Sequence, residues 1–213
     1  KNLMAKQKKA SSRLKKTTTR TTVNVDEVAQ FDRLGGAWWD ESGPMAPLHR
    51  INPVRIDYIK DQILARTGKS SLKGIRIADI GCGGGLAAEA LARLGATVTG
   101  IDAGQENIAI AKAHAKAGEL AIDYRATTVE AMAAKGETFD VVTALEIIEH
   151  VDDVPLFVES CAAIVKPNGL LFFSTLNRTP KAFAFGIVAA EYILRWLKPG
   201  THDWRKFVKP SEI

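Results

Sequence analysis

The stretch that most limits what this chain can fold into is residues 75–102, IRIADIGCGGGLAAEALARLGATVTGID. Ile75, Ile77 and Ile80 are β-branched and apolar, as a buried strand requires. The run then breaks into Gly81-Cys82-Gly83-Gly84-Gly85. After it, Leu86, Ala90, Leu91 and Leu94 recur at helical spacing until Gly95. Thr97-Val98-Thr99-Gly100-Ile101 reads as a second strand closing on Asp102. The segment is a strand–loop–helix–strand unit whose helix opens from a glycine-rich turn.

Glycines in such a turn accept positive φ and let backbone N–H groups approach a ligand closely. Asp102 lies 21 residues beyond Gly81, at the carboxyl end of the second strand. A carboxylate there can accept hydrogen bonds from both hydroxyls of a ribose. The unit therefore points to a nucleoside cofactor. The dinucleotide fingerprint is G-x-G-x-x-G, whereas this chain reads Asp79-x-Gly81-x-Gly83-x-Gly85. That spacing resembles the first motif of S-adenosylmethionine-dependent methyltransferases, in which the acid before the loop helps orient the methionine ammonium. No basic residue, of the kind a pyrophosphate favours, occurs in residues 81–89.

At 213 residues the chain is long enough for one domain with a full core. No apolar run reaches the ~18 residues that span a bilayer. Two cysteines, Cys82 and Cys161, make no disulfide framework, and zinc-site spacings are absent. Cys82 reads as a small filler of a tight turn before it reads as a reactive thiol. The net charge of +5 belongs to the N-terminus: residues 1–22 hold eight of the 29 Lys and Arg and no acid, leaving 21 basic residues against 24 acids. That composition predicts a disordered basic tail over 1–22 and a single domain over 23–213, with no nucleic-acid-binding face. The tail is open to two further readings, contact with anionic lipid or a transit peptide. Met4 is a candidate natural start.

Along the chain, Asn24 with Glu27 three positions on predicts a helix N-cap, and Val28, Phe31 and Leu34 follow at helical spacing. Trp38-Trp39 either lines a substrate mouth or packs a lid segment. Asn52 as cap and Pro53 as first helical residue predict a second helix with Ile56, Ile59 and Ile63 buried. Strands are expected at residues 122–126, 139–145 and 170–176, with a helix over 152–166 and a Pro167-Asn168-Gly169 turn before the last strand. Alternating strands and helices imply a mostly parallel sheet with helices on both faces, ligands sitting beyond the strands' carboxyl ends.

The segments FDRLGGAWWDESGPMAPLHRINPVRIDYI, ADIGCGGG, VTGID, VVTALEIIEHV, IVKPNGLLFFSTLNRTPKAF and EYILRWLKPGTHDWRKFVKP resemble the ubiquinone-biosynthesis O-methyltransferase family. They cover nearly everything from Val25 onward. The resemblance implies a seven-stranded class I methyltransferase fold, Rossmann-like, that methylates polyprenylated catechol and demethylubiquinol intermediates at two steps. It carries the cofactor-contact positions onto Arg55, Gly81, Asp102 and Leu145, beside Asp79 and Gly83 of the loop motif. It also implies a possible place in a biosynthetic complex, peripheral at the inner membrane on the cytoplasmic side in bacteria or the matrix side in mitochondria. The family continues past Ile213 through a last helix and an edge hairpin, so the C-terminal end is expected to be incomplete.

Methyl transfer needs a catecholate oxygen aligned with the sulfonium methyl and a lowered catechol pKa. Glu146, Glu149 and His150 stand directly after the fourth strand. In mitochondrial relatives this triplet is associated with a divalent ion, and Mg²⁺ would suit a bidentate catechol. The alternatives are His150 as a metal-free general base, Glu149 sharing the catalytic work, or either residue merely capping a helix. His49 and His202 are weaker candidates at the same sheet end. Residues 181–198, KAFAFGIVAAEYILRWLK, read either as a membrane-surface helix or as a core helix. Two rival functions stay open, a methyltransferase of another small molecule and a non-catalytic cofactor-binding protein.

Overall fold

The computed structural model describes residues 20–179, 204 and 207–213. The expected helix at 181–198 and His202 lie outside the described residues. Five strands, β1 (Arg76–Ile80), β2 (Thr97–Asp102), β3 (Asp123–Ala126), β4 (Phe139–Leu145) and β5 (Val165–Ser174), form one sheet in the order β3-β2-β1-β4-β5. Every pairing is parallel. The chain steps outward from β1 through β2 to β3, then crosses back to β4 on β1's other side. That reversal opens a crevice at the carboxyl ends of β1 and β4, where open α/β sheets take their ligands.

Because side chains alternate along a strand, β1 and β4 feed two separate cores. Ile77 and Val141 join Ile56, Ile59 and Ile63 of α2 (Ala46–Thr67), Leu91 of α3 (Leu86–Arg93) and Ala111 of α4 (Gln105–Ala117). Ala78, Ile80, Val142 and Ala144 join Met132 of α5 (Val129–Ala134) and Phe157 and Cys161 of α6 (Val154–Ala163). Both faces of the sheet are thus covered, as its apolar strands require. Phe207 and Val208 are also buried, Val208 against the second core. Among the described residues, no helix is long and apolar enough to cross a membrane.

Two local expectations need correction, and one element stands where none is expected. Helix α2 begins at Ala46, with Pro47 in its first turn and Pro53 inside it, so Asn52 is not its cap. Instead Asn52 Nδ2 donates to Leu86 O at 3.0 Å, and Asn52 Oδ1 accepts from Arg55 Nη2 at 3.2 Å. The Pro167-Asn168-Gly169 turn does not precede β5 but interrupts it. The register jumps from Phe139↔Val165 to Val141↔Leu170, and Asn168 takes a φ of 65°. Helix α5 stands where the sequence predicts no element. Its six residues are too short to show helical periodicity, and its one local signal is the Thr128 side chain capping Ala131 N.

The N-terminal segment is stitched to this frame. Thr22 is buried, its N–H donating to Glu130 Oε1 at 2.7 Å, and Val23 bridges to Val151. From there α1 (Val25–Asp32) is capped as expected, Asn24 Oδ1 accepting from the N–H groups of Asp26 and Glu27.

Candidate active site

The glycine loop folds against the next strand through Cys82 N–H to Ile101 O at 2.9 Å. Gly81 and Gly83 have φ of 68° and 52°, a region side chains avoid. At Gly83 any Cβ would also land on the Trp38 ring. Trp38 comes from a 3₁₀ turn (Gly35–Trp39), is 6% exposed, and donates from Nε1 to Asn107 Oδ1 at 2.9 Å. Trp39 donates to Gly84 O at 3.0 Å and stacks on His114 with ring centroids 3.4 Å apart. His114 in turn meets the buried Glu89 at 2.7 Å. Of the two readings of the tryptophan pair, Trp38 lines the cavity and both rings pack onto the loop. His49 is tied up beneath them, its Nε2 2.9 Å from Trp38 O.

Asp102 ends β2 facing this loop. Its Oδ2 accepts from Gly83 N–H at 2.9 Å, and its Oδ1 accepts from Gly104 N–H at 2.7 Å and Asn107 Nδ2 at 3.2 Å. Burial pushes the carboxyl up and these donors pull it back. A carboxylate offers about four acceptor sites, so three donors fix its orientation and leave capacity toward the cleft.

On the other side of the loop, two opposite charges keep atoms without hydrogen-bond partners. Asp79 is 2% exposed; Thr143 Oγ1 donates to its Oδ1 at 2.8 Å, while Oδ2 has none. Burial raises its carboxyl to about 6, against the Thr143 hydrogen bond and the Arg55 charge. Arg55 has Nε and Nη1 without hydrogen-bond partners, Nη1 lying 3.6 Å from Glu146 Oε1. Buried polar atoms left unsatisfied are costly, so such a pair is a candidate ligand site. The pair offers a cation and an acid side by side, the two partners an α-amino acid group requires. Arg55, Asp79, Gly81, Gly83, Asp102 and Leu145 all line one cavity, of about 1070 Å³ counting its open mouth. A ligand carrying both a ribose and an amino acid matches these groups, and S-adenosylmethionine is such a ligand.

Beyond β4 the chain turns sharply, with Glu146 at a φ of 52°. Ser174 Oγ donates to Glu146 Oε1 at 2.8 Å. Glu149 is 5% exposed, does not line the cavity, and is pushed up to about 7 by burial and by the neighbouring Glu146. His150 lines the cavity beside Glu27, its Nδ1 lying 3.1 Å from Glu27 Oε2. The expected Mg²⁺ triplet is therefore not assembled. Glu146 and Glu149 adjoin each other while His150 faces α1, and no group of three His, Cys, Asp or Glu suited to a metal occurs among the described residues. The side chains as they stand do not fit the ion, and no step below is routed through one. In the sequence Glu27 and Asn52 carry only helix-end signals. Their pairing with His150 and Arg55 leaves no mark there, because it depends on tertiary contacts.

A parallel sheet reversing at β1 and β4, with an acid–glycine loop on one strand end and a loop-bonded acid on the next, defines a class I S-adenosylmethionine-dependent methyltransferase. A family model described as a methyltransferase domain matches residues 78–173. The ubiquinone biosynthesis O-methyltransferase of Methylobacterium nodulans is 53% identical over 92% of this chain and 81% of its own length. That of Dinoroseobacter shibae is 52% identical over 92% and 82%. The chain belongs to the ubiquinone biosynthesis O-methyltransferase family. A crystal structure of the plantazolicin methyltransferase BpumL, 15% identical, aligns over 88% of this chain and 74% of that one with a TM-score of 0.63, a likeness of fold alone.

Proposed function

We propose that this enzyme methylates both polyprenylated catechol and demethylubiquinol rings on oxygen, using S-adenosylmethionine held by Arg55, Asp79, Gly81, Gly83, Asp102 and Leu145. The observation that carries the reading is that one cavity is lined by Arg55, Asp79, Gly81, Gly83, Asp102 and Leu145 together with His150. The cofactor, when bound, supplies an electrophilic sulfonium methyl. The chain's work is then alignment and proton removal. Arg55 and Asp79 fix the amino-acid end, Asp102 fixes the ribose, and Leu145 packs against the adenosine. His150 takes the ring hydroxyl's proton as the new oxygen–methyl bond forms and the sulfur–methyl bond breaks. A positioned base of this kind contributes about 10²- to 10⁴-fold.

Val28, Phe31, Leu48, Val151 and Phe157 give the same cavity an apolar wall, which supports a ring with a hydrocarbon substituent. A substrate of that kind resides in the bilayer. Peripheral contact at the inner membrane, on the cytoplasmic side in bacteria or the matrix side in mitochondria, follows as part of the proposal, with residues 181–198 as its candidate surface. Membership of a biosynthetic complex belongs with it. Glu149 is kept as a neighbour of the site and Glu146 as a partner of Arg55, with no Mg²⁺ assigned to either.

The test supplies short-prenyl catechol and demethylubiquinol analogues in separate reactions and follows product by mass spectrometry. Both rings gain one methyl on oxygen. His150→Ala lowers turnover of both by about 10²-fold or more, while calorimetry shows S-adenosylmethionine affinity within about twofold. Full activity of His150→Ala would remove it as the base, and turnover of only one ring would confine the enzyme to one step.

A further inference from the structure

We propose that Glu27 is a positioning residue that locks His150 in the tautomer needed to take a proton. The inference rests on His150 being the base. A carboxylate only accepts hydrogen bonds, so the Glu27 Oε2 to His150 Nδ1 contact of 3.1 Å requires the hydrogen on Nδ1. In the neutral ring Nε2 then carries the basic lone pair, and of the two ring nitrogens it is the one able to receive a hydroxyl proton.

The surroundings keep the ring from escaping this arrangement. Glu27 and Phe31 are four apart on α1 and share one face. Phe31 meets the imidazole edge-on with centroids 5.0 Å apart, and Glu27 holds its Nδ1. Both partners are largely buried, with side chains 17% and 20% exposed for His150 and Glu27. Helix α1 is clamped to the residues just after His150 by three contacts. Val23 bridges to Val151, Asp152 N–H donates to Thr22 O at 2.9 Å, and Asn24 Nδ2 donates to Asp152 Oδ1 at 2.7 Å. The same Asn24 caps α1 through Oδ1. One residue thus fixes both where the helix starts and where Glu27 sits relative to the imidazole. The ring of Phe31 also stacks on Trp38 at 6.2 Å, joining this clamp to the cover over the glycine loop.

The experiment uses the full chain with Glu27→Ala and the isosteric Glu27→Gln. Three readouts are taken: kcat and KM for a short-prenyl catechol, S-adenosylmethionine affinity by calorimetry, and the His150 tautomer from side-chain ¹⁵N NMR, assigned against His150→Asn. In the wild type His150 carries its hydrogen on Nδ1. In Glu27→Ala the Nε2–H form becomes dominant and kcat falls about 10-fold or more, a share of the roughly 10²- to 10⁴-fold that a positioned base contributes. KM and cofactor affinity stay within about twofold. Glu27→Gln, which keeps one acceptor oxygen, falls between the two in both tautomer and kcat. An unchanged tautomer in both variants overturns the proposal even if kcat drops, since the loss is then structural. Unchanged kcat in both overturns it as well. If His150→Asn keeps full activity, the reading of His150 as base fails first; an inactive His150→Asn beside fully active Glu27 variants sinks the positioning role alone.

Discussion

At Asp79 the binding role proposed above competes with stability. Its carboxyl is 2% exposed, has one unpartnered oxygen, and is raised by burial from 3.8 to about 6. An acid raised in the folded state binds protons more tightly than in the unfolded chain. Its contribution is therefore fully present below about pH 4 and is lost as pH rises through about 6. A rise of that size corresponds to about 3 kcal/mol. Asp79→Asn should raise the melting temperature of the cofactor-free protein by several degrees at pH 7.5, a gain that shrinks to nothing as pH falls from about 6 to 4. The same change should weaken S-adenosylmethionine by about tenfold or more, because an amide no longer balances an ammonium. Thermal scans across pH and calorimetry at pH 7.5 check the two halves; a destabilised Asp79→Asn with unchanged affinity would contradict both. The acid's place before the glycines is legible in the sequence. Its missing partner is not, because that is a property of the buried cleft.

At the scale of elements, α1 and α2 show where local reading holds and where tertiary packing overrides it. The Asn24 cap is legible because it is made within four residues. The start of α2 is not, because Pro53 usually opens a helix, whereas here it sits inside one that begins at Ala46. Asn52 is thereby freed to hold Leu86 O and Arg55 instead of capping anything. Strands β1, β2 and β4 are readable from apolar β-branched runs, but the inserted turn in β5 and the short α5 are not. Both are decided by register and burial rather than by periodicity. Asn24→Ala removes the cap and the tie to Asp152 together, a loss of about 1 kcal/mol or somewhat more. Amide hydrogen exchange across Val25–Asp32 should quicken by about fivefold or more, with β1 and β4 unaffected, since local opening is what this change frees. Equal quickening throughout the sheet would mean that α1 is part of the global unfolding unit.

Over the whole molecule, the order β3-β2-β1-β4-β5 brings residues from four distant stretches to one crevice. Arg55 arrives from α2, Asp79 and the glycines from the end of β1, Asp102 from β2, and His150 from the turn after β4. The sequence marks each of these separately, whereas the cover formed by α1, Trp38 and Trp39 exists only once the chain has folded back over the sheet. Everything proposed for the crevice depends on its moving a methyl from sulfur to a ring oxygen, and that transfer can be watched atom by atom. Purified protein is incubated with S-adenosylmethionine labelled with ¹³C at the methyl and a short-prenyl catechol, and the product is followed by carbon NMR. The label should appear on a ring oxygen, as an aryl methyl ether, with loss of the sulfonium methyl signal in equal amount. Label on a ring carbon, or a sulfonium signal that persists beside unmodified catechol while the cofactor binds, would contradict it.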